Sequence, residues 1–209
     1  MNFKEWEPFY ERILKDMGFS REDDEHAALV LSSMLHPENS ADISVLSDII
    51  KDRDILVCGN GPCLGEELRH IGTGNLTVIA ADGATTALID KDIIPNIIVT
   101  DLDGDIGAEV MANKKGSLMI IHAHGDNIDR LKEYVPLFTD VIGSTQAEPL
   151  HNVHNFGGFS DGDRCVYVAK EFGAATIKII GFDLDDENVD PLKKKKLEWA
   201  RILIDYLDT

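Results

Sequence analysis

Apolar residues recur at two different spacings along the chain, and the change from one to the other divides it. At the start, Phe3, Trp6, Phe9, Tyr10, Ile13, Leu14 and Met17 fall at helical spacing, and Gly18 supplies a C-terminal stop. Ser20 stands three residues before Asp23, a capping-box-like opening for a second helix that carries Ala27, Leu31 and Leu35 and ends at Pro37. A third, short helix is predicted from Ile43 to Lys51. No strand signal interrupts this helical segment, residues 1–52, which serves either as a cap on the remaining domain or as a contact between copies in a homo-oligomer.

From Asp54 the pattern turns to short apolar runs alternating with helical stretches. The predicted strands are Ile55–Cys58, Leu76–Ala80, Ile97–Thr100, Leu118–Ile121, Asp140–Ile142 and Ile177–Ile180. Between most of them lie helices at Leu64–Ile71, Ala84–Lys91, Ile106–Asn113, Ile128–Tyr134 and Arg164–Phe172, and a last helix runs from about Pro191 to Leu207. Strands of four or five apolar residues joined by helical crossovers predict an α/β domain over residues 53–209. Its sheet is mainly parallel and Rossmann-like, with helices on both faces. The Lys193–Lys196 run reads as a solvated face at the start of the last helix, although it opposes the helix dipole there.

Ligands of open α/β sheets bind at the C-terminal ends of the strands, so the strand ends carry the candidate chemistry. The first ends in Gly59-Asn60-Gly61-Pro62, either a phosphate- or ribose-facing turn or a plain tight turn. The second ends in Ala81-Asp82-Gly83, where Asp82 orients a ribose, ligates a metal or caps the following helix. The third runs through Thr100 into Asp101-Leu102-Asp103-Gly104-Asp105. Alternation places Asp101 and Asp103 on one side, and Asp105 joins them if Gly104 takes a positive φ. Carboxylates this close repel one another, and oxygen-only ligands at a strand end suit Mg²⁺; the alternative is an Asp-rich surface turn.

The fourth strand ends in His122-Ala123-His124-Gly125-Asp126-Asn127. Zinc accepts such ligands, and so does a magnesium-phosphate site that needs a hydrogen-bond donor or a base near neutral pH. In the loop before the Arg164 helix, Asp161 or Asp163 is a candidate N-cap. The last strand ends in Gly181-Phe182-Asp183, where an aromatic beside a carboxylate suits a flat, amine-bearing heterocycle, unless Phe182 is core.

Composition narrows the partners. A formal net charge of −18 argues against a nucleic-acid or anionic-membrane surface, but not against a nucleotide whose charge a metal ion offsets. No apolar run reaches the ~20 residues of a membrane-spanning helix, and the Lys- and Glu-containing start is no signal peptide; a cytoplasmic protein is expected. Cys58, Cys63 and Cys165 form neither a Cys-x-x-Cys pair nor an even set, which argues against a disulfide framework or a structural zinc site.

Taken together, Cys58–Pro62, Ala81–Ala84, Pro95–Gly104, His122–Asn127 and Gly181–Asp183 make Ile55 to about Asp185 resemble the archaeal 6-hydroxymethyl-7,8-dihydropterin pyrophosphokinases, distant relatives of thiamin pyrophosphokinase. The resemblance implies transfer of diphosphate from ATP to the hydroxymethyl group of a reduced pterin, with Mg²⁺ and release of AMP, in biosynthesis of a folate- or tetrahydromethanopterin-type cofactor. By the same analogy Asp82, Asp101, Asp103 and Asp126 surround the metal, and Asp101, Asp103, His124 and Asp126 carry the chemistry. Gly59, Asn60, Gly61, Pro62, Asp82, Gly83 and Thr100 meet the nucleotide. The pterin falls to His122, Asn127, Asp161, Phe182 and Asp183. Thiamin pyrophosphokinases usually have an acidic pair where this chain has His124 and Asp126, so the fold relationship alone does not fix the acceptor. The glycine-proline turn and the Gly181-Phe182-Asp183-Leu184 ending also resemble motility accessory glycosyltransferases that use an activated nonulosonate. A non-catalytic nucleotide- or metal-binding module is a further alternative.

Overall fold

The computed structural model describes residues 1–207. Three N-terminal helices, α1 (Phe3–Met17), α2 (Arg21–Met34) and α3 (Ser44–Ile50), precede the alternating part. That part runs β1 (Asp54–Cys58), α4 (Leu64–His70), β2 (Thr77–Ala81), α5 (Ala84–Ile89), β3 (Ile97–Thr100), α6 (Ile106–Lys114), β4 (Leu118–Ala123) and α7 (Ile128–Tyr134). It continues through β5 (Val141–Thr145), β6 (Val153–His154), α8 (Asp161–Glu171), β7 (Thr176–Ile180) and α9 (Pro191–Leu207). All seven strands pair in parallel, in the order β6-β5-β4-β3-β2-β1-β7. The chain therefore winds outward from β1 to β6 and then returns through α8 to place β7 on the far side of β1.

The strand alternation sorts the core into two layers. Leu56, Cys58, Ile98, Met119 and Ile121 face α2 and the crossover helices, meeting Leu31, Leu68, Leu88, Ala112 and Leu131. Ile55, Val57, Ile97, Val99 and Ile120 face the opposite way, onto Leu46 and Ile50 of α3 and Cys165, Val168 and Ala169 of α8. The N-terminal helices thus cover both faces of the sheet. A third cluster joins Trp6, Tyr10 and Ile13 of α1 to Trp199 and Leu203 of α9 and Tyr167 of α8.

The sequence reading misses β6 and starts α8 three residues late. β6 is a two-residue edge strand, Val153 and His154 pairing with Gly143 and Ser144, too short to show a period. At α8, the N-cap is Ser160. Asp163, fully buried, accepts the backbone N–H groups of Phe159 and Ser160 at 2.6 and 2.8 Å. All three cysteines are free thiols, with Cys58 and Cys165 buried and Cys63 half-buried. No helix among the described residues is long and apolar enough to cross a membrane.

One buried carboxylate ties the N-terminal helices to the strand ends. Asp24 of α2 accepts from Tyr10 Oη and from Gln146 Nε2, each at 2.8 Å on Oδ2, and from the Gly125 backbone N–H at 2.9 Å on Oδ1. Removing it strands three buried or half-buried donors at once, each costing about 1–3 kcal/mol when left unpaired. Asp24→Ala is expected to lower unfolding free energy in urea by roughly 2–4 kcal/mol, with faster hydrogen exchange at the Gly125 amide; Asp23→Ala, at the exposed neighbour, changes neither.

Candidate active site

The C-terminal ends of β1–β4 and β7 open onto one cavity of about 490 Å³, closed on its other sides by the start of α8 and by α9. Asp82, Asp101 and Asp103 meet in its wall, each offering a carboxylate oxygen within 4.8 Å of the others. Asp82 is not spent on capping, because α5 has no side-chain cap bond. Its backbone is strained instead, at φ 24°.

The acidic turn is bent at Leu102, and Gly104 does not take the positive φ on which the inclusion of Asp105 depended. Leu102 is buried with φ 66°, a conformation disfavoured for a branched side chain. Thr100, fully buried, holds it there by accepting the Leu102 N–H on Oγ1 at 2.8 Å. Gly104 is needed for space: a Cβ there would collide with the Asp82 carboxylate. Asp105 does not join the cluster, since its Oδ1 caps α6 by accepting from Ala108 N at 3.1 Å.

Crowding and burial set the protonation of this corner. Burial first, then the hydrogen bond that protonated Asp82 donates to Asp103 and the negative charges around it, raises Asp82 to about 11. At Asp101, burial pushes upward but is outweighed by the hydrogen bond and charge of His124, and the net effect is a lowered carboxyl. Beneath them Glu109 of α6 is fully buried, and burial, only partly offset by hydrogen bonding from Thr100 and Asp82, lifts it to about 7. Among the described residues, Asp82 Oδ1 and Asp101 Oδ1 have no hydrogen-bond partner. Three converging carboxylates with buried oxygens to spare fit a hard divalent cation, which takes oxygen ligands and tolerates like-charged donors.

The histidines have different surroundings. His124 Nε2 meets Asp101 Oδ2 at 3.1 Å, while the Asp126 backbone N–H points at Nδ1 at 3.4 Å. His122 is buried between Arg164 Nη2, 3.1 Å from Nε2, and Ser144 Oγ, 3.0 Å from Nδ1. A guanidinium only donates, so Nε2 accepts and the ring proton sits on Nδ1. Burial, then the charge of Arg164, keeps His122 neutral by lowering its pKa well below the ordinary value. Arg164 is itself fixed by the carbonyls of Gly157, Gly158 and Phe159 at 3.0–3.3 Å.

Most residues singled out from sequence line this cavity: Gly59, Asn60, Gly61, Pro62, Asp82, Gly83, Asp101, Asp103, His122, His124, Asp126, Asp161, Phe182 and Asp183. Thr100 and Asn127 do not. Asn127 is fully buried under the loop, donating to the carbonyls of Asp101 (2.9 Å) and His122 (2.7 Å) and accepting from His124 N (3.1 Å). Asp126 reaches the cavity but stands outside the three-carboxylate cluster. The glycine turn serves close packing of β1 on β7: Gly59 N and Gly61 N donate to the carbonyls of Ile180 and Gly181 at 2.9 and 2.7 Å. A Cβ at Gly59 would lie 2.7 Å from the Phe182 ring. Sequence reasoning passed over Glu109, Gln146 and the internal role of Arg164; a glutamate on the apolar side of α6 was the one available signal.

The chain has relatives along its whole length. A family model described as 6-hydroxymethylpterin diphosphokinase MptE-like matches residues 31–189. A Methanocaldococcus jannaschii protein is 41% identical, the alignment covering 99% of this chain and 96% of the relative. Proteins of Methanothermobacter thermautotrophicus (40% identical, covering 100% and 96%) and Pyrococcus furiosus (42%, covering 99% and 94%) are similarly close. All three are named 6-hydroxymethyl-7,8-dihydropterin pyrophosphokinase. With its parallel sheet, its strand-end cavity and full-length similarity of this degree, the chain belongs to the MptE-like family of 6-hydroxymethylpterin diphosphokinases.

Proposed function

We propose that this protein transfers the diphosphate of ATP to the hydroxymethyl group of 6-hydroxymethyl-7,8-dihydropterin, releasing AMP, with Mg²⁺ held by Asp82, Asp101 and Asp103. The observation that carries the reading is the convergence of those three carboxylates in the wall of the strand-end cavity. Bound there, Mg²⁺ would offset negative charge on the transferred group. In the reaction the substrate hydroxyl oxygen bonds to the β-phosphorus, the bond from that phosphorus to the bridging α–β oxygen breaks, and that oxygen leaves on AMP.

The chain's own groups contribute position and charge, as in phosphoryl transfer generally. His124 fixes the Asp101 carboxylate by its 3.1 Å bond. His122, with both ring nitrogens engaged, shapes the cavity wall and takes no proton. The proton from the substrate hydroxyl goes to Asp126, whose exposed carboxylate lines the cavity without a hydrogen-bond partner among the described residues. Phe182 is wedged between Gly59 and Gly162, where it shapes the pocket for the heterocycle, with Asp183 beside it to accept ring N–H groups.

The direct test is AMP formation from ATP and Mg²⁺ with and without the pterin, thiamin replacing it as a control. Pterin-dependent AMP is expected. AMP from thiamin alone points to a different acceptor, and tight binding of a CMP-sugar with no AMP points to the glycosyltransferase reading. In the same assay Asp101→Asn and Asp103→Asn are expected to lose about 10²–10³ in kcat while remaining folded, because each removes a few kcal/mol of transition-state stabilisation. Full turnover by either variant contradicts the assignment.

Stability gives an independent reading. Without divalent cations the crowded carboxylates oppose folding; a cation that binds only the folded state stabilises it, by about 2.7 kcal/mol at a hundred times its Kd. Mg²⁺ is therefore expected to raise the melting temperature by several degrees. Asp82→Asn is expected to melt higher than the parent in chelator and to gain little from Mg²⁺.

A further inference from the structure

The lysine run at the start of α9 is divided by the helix. Lys193, Lys196, Leu197 and Ala200 stand at i, i+3, i+4 and i+7, and all four line the cavity. Lys195 turns away to α1, its Nζ donating to the Asp16 carbonyl and carboxylate at 2.8 and 3.0 Å. Lys196 is half-buried, and among the described residues no hydrogen bond or ion pair holds its ammonium group. Its side chain lines the same cavity as Asp101, Asp103 and Asp161.

A triphosphate entering this cavity meets Asp82, Asp101, Asp103, Asp126, Asp161, Asp183 and Asp186 in the walls. A divalent ion offsets only part of that repulsion. Besides the histidines, the basic residues in the lining are Arg164, Lys193 and Lys196. Both Nη atoms of Arg164 are engaged by three carbonyls and His122, which leaves only its buried Nε without a partner among the described residues. The end of α9 is no substitute, since Asp190 Oδ1 already accepts the N–H groups of Leu192 and Lys193 at 2.9 Å. Cations in the first turn of a helix also oppose its dipole, and α9 carries its lysines there with no acidic residue in that turn. An ammonium on a flexible stem is a mobile point charge, suited to follow a phosphoryl group as it moves.

From this placement we propose that Lys196 binds the β- and γ-phosphates of the nucleotide and follows the diphosphate during transfer, with Lys193 assisting at the cavity mouth. The proposal rests on the pyrophosphokinase reading for the reaction, but the binding it describes is measurable without turnover.

The experiment is calorimetric titration of the full chain with α,β-methylene-ATP and Mg²⁺, and separately with AMP. Lys196→Ala is expected to weaken the ATP analogue by about 10- to 100-fold, the range of a lost charge-assisted contact, with AMP affinity unchanged. Lys196→Arg keeps most of the affinity, and Lys195→Ala, on the Asp16 side, keeps all of it. Equal losses for the analogue and AMP, or no loss for either, overturn the proposal. A parent protein that binds the analogue yet makes no pterin-dependent AMP overturns the pyrophosphokinase reading instead, leaving the Lys196 comparison to be decided by its own titrations.

Discussion

Three carboxylates that repel one another lie at the centre of this molecule, and the neighbouring structure holds them together. Asp82, Asp101 and Asp103 come from the ends of adjacent parallel strands, β2 and β3, whose pairing fixes their separation before any side chain chooses a rotamer. Left alone the cluster is unfavourable. Asp82 retains its proton far above the usual carboxylate range because of burial and its neighbours, and one buried oxygen each of Asp82 and Asp101 has no partner among the described residues. Such a site is stable only as part of a larger fold, and the proposed divalent cation would complete it.

The supporting structure can be traced residue by residue. The Asp82 and Leu102 backbones are held at positive φ, each costing of order 1–3 kcal/mol. Thr100 and Asn127 secure the turn and tie it to the histidine loop. Asp24 reaches from α2 to that same loop. The N-terminal helices are thus tied to the architecture of the site, although none of the carboxylates in the cluster belongs to them.

How much of this is legible in the sequence depends on the range of each interaction. A buried parallel strand writes itself as a continuous apolar run, and the strand-end rule then names Asp82, Asp101 and Asp103 without a structure. Local cues mislead where packing decides. A glycine after the acidic pair invites a positive φ, yet the bend is at Leu102, because Thr100 and the core hold it and the Asp82 carboxylate needs the space at Gly104. Asn127 and Thr100 sit among ligand-like residues but spend their polar atoms on the fold. Lys196, Glu109, Arg164 and Asp24 had no local signal strong enough to single them out for the site, because each reaches it only through tertiary packing. A lysine run on an isolated helix is a solvated face; only the docking of α9 over the cavity separates Lys196 from Lys195.

The central claim, that the three strand-end carboxylates form one cation site serving a nucleotide, is tested most directly by anomalous scattering. A crystal of the protein with Mn²⁺ and α,β-methylene-ATP is predicted to show a single strong peak among Asp82, Asp101 and Asp103, bridging to the nucleotide phosphates. A nucleotide bound elsewhere, or a manganese peak away from these three residues, contradicts the account.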